Sequence, residues 1–328
     1  MRTLKIVHFL QTALAVVLAT ASLTNLAQSQ YPSKPVRIVV TFLPGGSADT
    51  LARIVAPKLS AAWGQPVIVE NRAGAGGNVG GDVVAKAPAD GYMVMFTPPP
   101  PLGINLFLYK DMPFDPRTAF APISVLAVMP NILAVGPRVT ARGVEELVAF
   151  AKANPGKLSY GSQGIGSTPH LTGSMLALAK GIDIVHVPYK GFPPVLADLL
   201  GGRLDFAFAD ASNILPQLKE GRLRALAVAS EKRFFALPNT PTMIEAGVPD
   251  FVSGTWMSFA APAGTPAQIV RKWNEEIKRA VREPDVQARF AELGVETWAS
   301  SPEEMQRHMA NEIARWGEVI RKSGARTN

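Results

Sequence analysis

Apolar residues along the 328-residue chain fall into two kinds of run that take turns. Short, nearly continuous apolar runs bounded by Gly or Pro read as strands: "PVRIVVTF" at 35–42, "PVIVEN", "YMVMFT" at 92–97, "LSYGS" at 158–162, "DIVHVPY" at 183–189, "RLDFAFAD" and "RLRALAVAS". Between them lie segments with helical spacing. "ADTLARIVAPKLSAAWG" puts Leu51, Ile54, Val55, Leu59 and Ala62 on one face. "GGNVGGDVVAKA" predicts a Gly-rich helix, "PHLTGSMLALAKG" one closed by Gly181, and "PVLADLLGG" and "NILPQLKEG" two shorter ones. Strands separated by helices predict parallel β-α-β units and an α/β fold.

The alternation occurs twice, in a first unit up to about 128 and a second from about 137 to 245. "GTWMSFAAPAG" at 254–264 predicts one more strand, and only helices follow. "PAQIVRKWNEEIKRAV" is amphipathic and "PDVQARFAELG" stops on Gly294. "SSPEEMQRHMANEIARWGEVIRKSG" opens with Ser301 as N-cap, Pro302 at the first helical position and Glu304 completing a capping box. Its apolar face carries Met305, Met309, Ile313, Trp316 and Ile320. Three helices with few strands make no third domain, so they are expected to pack back on the first unit. The chain then crosses twice between its halves, at 125–135 and around 245–256, and two crossings make a hinge.

Composition places the chain among globular proteins of about two domains: 47% hydrophobic, 18% charged, with 28 Gly and 28 Pro. The net charge of +7 falls to +5 once Arg2 and Lys5 are set aside, and no Lys/Arg block tracks a nucleic-acid backbone. The N-terminus reads as an export signal over 1–29. "MRTLK" is a short basic region, "IVHFLQTALAVVLATA" an apolar core too short to span a bilayer, and cleavage can follow Ala21, Ala27 or Ser29. There is no cysteine, which excludes disulfides, thiolate metal sites, cysteine nucleophiles and a lipidated anchor. The expectation is a periplasmic protein, soluble after signal removal.

Two loops carry the candidate chemistry. "FLPGGSADTLAR" follows a strand and opens a helix, leaving backbone N–H groups that need an acceptor. Gly45 and Gly46 admit a ligand close to the backbone, and Ser47 can cap the helix or donate to a ligand oxygen. The loop lacks the Gly-Lys-Ser/Thr of a P-loop, and Asp49 in the first turn repels phosphate more than a singly charged carboxylate. "SYGSQGIGSTPHL" makes the same strand-to-helix junction, with hydroxyls at Ser162, Ser167 and Thr168 and space at Gly161, Gly164 and Gly166. Pro169 stands where a dinucleotide fingerprint needs its third glycine. Facing each other across a cleft, the two loops would offer neutral donors to a small anion. Thr97, followed by four prolines at 98–101, ends a strand at the same edge. An exported α/β hydrolase with Ser47 or Ser162 as nucleophile is the alternative, although "GGSAD" and "YGSQG" each miss one glycine of the nucleophile elbow. No metal-ligand spacing occurs, no cofactor is indicated, and His186 reads as structural.

These residues also carry a likeness. "YPSKPVRIVVTFLPGGSADTLAR", "GQPVIVENRAGAGGNVGGDVVAKAPADGYM", "YGSQGIGSTPHL", "VPYKG", "DLLGGRLDFAFAD", "GRLRALAV" and "APAGTP" together resemble the Bug (TctC-type) family, the extracytoplasmic solute-binding proteins of tripartite tricarboxylate transporters. The likeness runs from about Tyr31 to Lys322. It implies a type II periplasmic-binding-protein fold, with lobe 1 formed by 30–128 and 248–328 and lobe 2 by 129–247. It implies a small organic carboxylate held between the lobes by Pro44, Gly45, Gly46, Ser47 and Asp49 of the first and by Ser162, Gly166, Ser167, Thr168 and His170 of the second. Tyr189 and Asp210 sit where the family tunes specificity. A monomer, working with large and small membrane subunits or as a sensor and without nucleic acid, follows from the same likeness. "TPPPPLGIN" and "TWMSFAAP" depart from the family pattern and put the ligand in question.

Overall fold

Strand formation follows the short apolar runs closely. The computed structural model of the chain describes residues 31–325; the expected export signal and its cleavage sites lie outside them. The strands are β1 (Val36–Val40), β2 (Val67–Asn71), β3 (Met93–Thr97), β4 (Phe120–Val135), β5 (Ser159–Ser162), β6 (Val185–Pro188), β7 (Phe206–Asp210), β8 (Arg224–Val228), β9 (Gly254–Pro262) and β10 (Glu296–Thr297). They join in the order β2-β1-β3-β9-β4-β7-β5-β6, with β8 and β10 also on β4. β1 runs parallel to β2 and β3, and β5 parallel to β6 and β7, as the β-α-β reading requires.

β4 is the spine of the molecule. The stretch expected only as a crossing is one strand of 16 residues, antiparallel to β9 along its first part and to β7 and β8 along its last. Pro122 and Pro130 obscured it in the sequence, since proline cannot donate to a ladder. Register shifts after Pro122 and after Val125 absorb the irregularity. Pro130 pairs with Gly254 and Asn131 with Asp210, so the strand changes partners between two consecutive residues. At the second crossing Asn131 N–H donates to Ser253 O, and Ser253 N–H to Ala229 O. Gly254 is required there, because a Cβ would stand 2.6 Å from Met129 O.

The helices are α1 (Ser47–Trp63), α2 (Asn78–Ala85), α3 (Val144–Ala153), α4 (Thr168–Lys180), α5 (Phe192–Leu200), α6 (Ala211–Lys219), α7 (Ala267–Ala280), α8 (Pro284–Glu292) and α9 (Pro302–Ser323). α1 and α7 cover the first half of the sheet; Leu51, Val55, Leu59, Trp273 and Ile277 pack on Ile38, Val40, Phe96 and Phe259. Fully burying a side chain of this size contributes about 1.5–3 kcal/mol. The second half has its own cluster, in which Leu147, Leu158, Leu176 and Met243 surround Phe206 and Phe208. α9 forms the capping box expected of Ser301 and Glu304 and buries Met305, Met309, Trp316 and Ile320. It spans both halves: Trp316 and Ile320 pack with Leu171 of α4 and with Ile104 and Leu108.

Candidate functional site

Parallel strands deliver their carboxyl ends, and the helices that follow, to one side of the sheet. Five strand-to-helix junctions meet there. β1 leads to α1, whose N-cap is Gly46; β2 leads to α2, capped by Gly77 after a short 3-10 turn, Ala75–Gly77. From the other half, β5 leads to α4 with N-cap Ser167, β6 to α5 with N-cap Gly191, and β7 to α6 with N-cap Asp210. Only Ser167 makes a side-chain capping bond; the starts of α1, α2, α5 and α6 have none. Each helix start carries roughly half a positive charge on its free amides.

A cavity of about 470 Å3 opens at this convergence. One half supplies Phe42, Leu43, the 73–77 segment, Pro100 and Tyr109; the other supplies Gln163, Gly164, Ile165, Ser167, Tyr189, Lys190 and Gly191. The size suits a small organic ligand. Deeper in, a chamber of about 20 Å3 is lined by Gly46, Ser47, Ala48, Gln163, Gly191, Phe192, Asp210 and Met257. It has room for about one water molecule. Lys190 is exposed and has no carboxylate partner among the described residues. Among the described residues no cluster of three His, Asp or Glu side chains is placed to hold a metal ion.

Asp210 is fully buried. Its Oδ1 accepts from Asn131 Nδ2 at 3.1 Å and Thr255 Oγ1 at 2.5 Å, and its Oδ2 from Ser47 Oγ at 3.1 Å. Burial pushes this carboxyl up against the opposing pull of Thr255, Ser47, Gln163 and Asn131. Ser47 does not cap its helix. It is the first helical residue, and its hydroxyl bridges the halves by donating to Asp210 and accepting from Ser212 Oγ at 2.9 Å.

Of the thirteen residues singled out in the sequence, Gly46, Ser47, Ser167, Tyr189 and Asp210 line these spaces. The other eight stand behind or beside them. Pro44 and Gly45 are exposed at the rim. Asp49 accepts from Gly45 N–H at 3.0 Å and from Arg53 Nε at 2.9 Å. Burial raises its pKa, but Arg53, Gly45 and Asn71 outweigh that and hold it below the usual carboxylate range. Thr97 is bonded to Thr41 Oγ1 at 2.7 Å and Pro98 O at 3.0 Å. Ser162 lies 2.7 Å from His186 Nε2, Thr168 bonds to Thr255, and Gly166 N–H donates to His170 Nδ1 at 3.0 Å. Tyr189 donates to Asp198 at 2.6 Å; burial and that carboxylate push its phenol up to about 12.

Sequence reasoning missed the 73–77 segment, Tyr109, Gln163 and Lys190. The first was within reach. "AGAGG" lies at the carboxyl end of β2 and before a helix, the rule that selected "LPGGS". Tyr109 comes from a segment with no periodic pattern, folded as 3-10 turns at Pro100–Leu102 and Ile104–Phe107.

A family model described as "Tripartite tricarboxylate transporter family receptor" matches residues 51–325. Protein BugT of Bordetella pertussis is 35% identical over 319 residues, covering 97% of this chain and 98% of that protein. A Rhodopseudomonas palustris protein, Rpa4515, solved with adipate, superposes with a TM-score of 0.87 at 38% identity, over 90% of this chain and 100% of that one. The periplasmic binding protein BugD superposes with a TM-score of 0.85 at 34% identity, over 90% and 100%.

Proposed function

Because the chain belongs to the tripartite tricarboxylate transporter receptor family, we propose that it captures a small organic carboxylate between its two lobes and presents it for uptake or sensing. The observation that carries this reading is the meeting of five helix N-termini, two from one lobe and three from the other: those capped by Gly77, Ser167 and Gly191 line the cavity, and those capped by Gly46 and Asp210 line the chamber beneath it. Unpaired amides and hydroxyls hold a carboxylate without a fixed counter-charge, and the dipoles favour it. Asp210, the carboxylate that lines the chamber, is saturated by protein donors, and Lys190 supplies a positive charge at the cavity. The adipate of the similar Rhodopseudomonas protein is a carboxylate of this kind.

The lobes meet at a hinge through Pro130–Asn131 and Ser253–Gly254, and the contributing residues are Gly46, Ser47, Ser167 and the amides around them. The protein works in the periplasm after signal removal, as a monomer, beside membrane subunits of the transporter. It performs no chemistry on its ligand. The hydrolase alternative is not carried further: Ser162 is 1% exposed and off the cavity, and neither imidazole near it bonds a carboxylate among the described residues.

The test is a melting-temperature screen against mono-, di- and tricarboxylates, amino acids and aromatic acids. A ligand at about 100 times its Kd adds ~2.7 kcal/mol of stability. One class of acid is expected to raise the melting point by several degrees. No response to any acid, or ester cleavage abolished by Ser47→Ala, overturns the reading.

A further inference from the structure

The loop at 163–167 lines the cavity through Gln163, Gly164, Ile165 and Ser167, and one backbone bond, from Ser167 N–H to Gly164 O at 3.1 Å, closes it. Gly164 and Gly166 have φ of +130° and +82°, in the region glycine enters freely and leaves as freely. Internal bonds tie Ser167 Oγ and Ser162 Oγ to Gly164 O, at 2.7 and 3.0 Å. Leu171 N–H on Ser167 O at 3.1 Å and Gln163 on Asp210 fasten the loop to the rest of the lobe, and two more bonds, one within it and one at the residue before it, each end on an imidazole. Gly166 N–H donates to His170 Nδ1 at 3.0 Å, and Ser162 Oγ lies 2.7 Å from His186 Nε2. The rings stack on each other, with centroids 3.9 Å apart and planes at 23°. Tyr160 backs the pair, 4.9 Å from the His186 ring, and Phe206 stacks behind Tyr160 at 5.4 Å. His170 is 6% exposed and does not line the cavity.

We propose that His170 is a positioning residue: its Nδ1, kept as an unprotonated acceptor, holds Gly166 and thereby sets the cavity-lining loop, with His186 bracing the ring from behind. An N–H donor aimed at Nδ1 requires the ring proton on Nε2. Burial favours the neutral ring: the pKa falls to about 3 for His170, where His186 adds to the effect, and to about 4 for His186. The hold extends across the cleft. Gly166 packs against Leu108 of the other lobe so closely that a Cβ would overlap its Cδ1. A displaced loop therefore disturbs both the donors offered by 163–167 and the seating of one lobe on the other.

The inference rests on the carboxylate reading only where affinity is measured, so its test has one arm without ligand. In the unliganded protein at neutral pH, nitrogen-15 spectra are expected to show His170 with Nδ1 unprotonated and Nε2 protonated. The Gly166 amide is expected to be protected from exchange, and His170→Phe removes that protection. In the second arm, with adipate as probe, His170→Phe weakens binding by about tenfold, the order expected for one lost hydrogen bond in the site. His170→Asn, whose Oδ1 occupies the place of Nδ1, restores affinity to within about threefold. An Nδ1–H tautomer, a Gly166 amide equally protected in His170→Phe, or equal loss in the Asn and Phe variants overturns the proposal. Failure of adipate and every other acid to bind the wild-type protein overturns the carboxylate reading and leaves the spectroscopic arm to decide the role of His170.

Discussion

Ser47 and Asp210 show how a few buried polar atoms join two lobes. Ser47 starts the first helix of one lobe, Asp210 ends a strand of the other, and they bond directly. Ser47→Ala removes this bond and the one from Ser212, so closure should weaken, with a loss of about 0.5–1.5 kcal/mol in ligand affinity measured by calorimetry. Asp210→Asn replaces one of two acceptor oxygens with an NH2 group set against the donors Asn131, Thr255 and Ser47. The urea midpoint should fall, by the equivalent of about 1–3 kcal/mol; an unchanged midpoint would mean the network is not what holds the crossing strands. The stacked imidazoles give stability a pH dependence. Their folded pKa values, about 3 and about 4, lie below the free value of 6.5. Between those limits the unfolded chain binds protons that the folded chain refuses, so their contribution is present above about pH 6.5 and is lost as pH falls toward 4. The urea midpoint of the wild type should drop over that range more steeply than that of His170→Phe or His186→Phe.

At the scale of elements, the strands and helices follow from patterns that survive any reading of the chain, and the exceptions have causes. Alternation of short apolar runs with helical periodicity marks β1 to β3 and β5 to β7; β1, β3, β5 and β7 are mostly buried inside the sheet, while the edge strands β2 and β6 stay half-exposed. β4 escaped because two prolines broke a run whose ladder is repaired by register shifts, which sequence spacing does not reveal. The capping box of α9 was legible because Ser301 and Glu304 act locally; Ser301→Ala should cost about 1 kcal/mol, read from the urea midpoint. The site was half legible for the same reason. Glycines after strands announce helix starts, so Gly46 and Ser167 were found. Whether a hydroxyl faces the cavity or a neighbour is decided by tertiary contacts: Ser162, Thr168 and Thr97 spend theirs on His186, Thr255 and Thr41.

The whole molecule is one sheet cut by a cleft, with β4 and the 253–254 crossing as its only strand connections among the described residues. Leu108 against Gly166, and α9 against α4, bring the lobes into contact. Gly166→Ala should hold them apart and weaken binding by about tenfold or more, through both the overlap and the unfavourable φ of +82°; small-angle scattering should then show no contraction on adding ligand. The central claim is that helix starts from both lobes grip one acid. A crystal structure with the acid selected by the melting screen tests it most directly. The account predicts a carboxylate group within hydrogen-bond distance of a backbone amide of the 74–77 segment in one lobe and of Ser167 or Gly191 in the other. An acid bound to one lobe only, or outside the cavity between Phe42 and Tyr189, would contradict it.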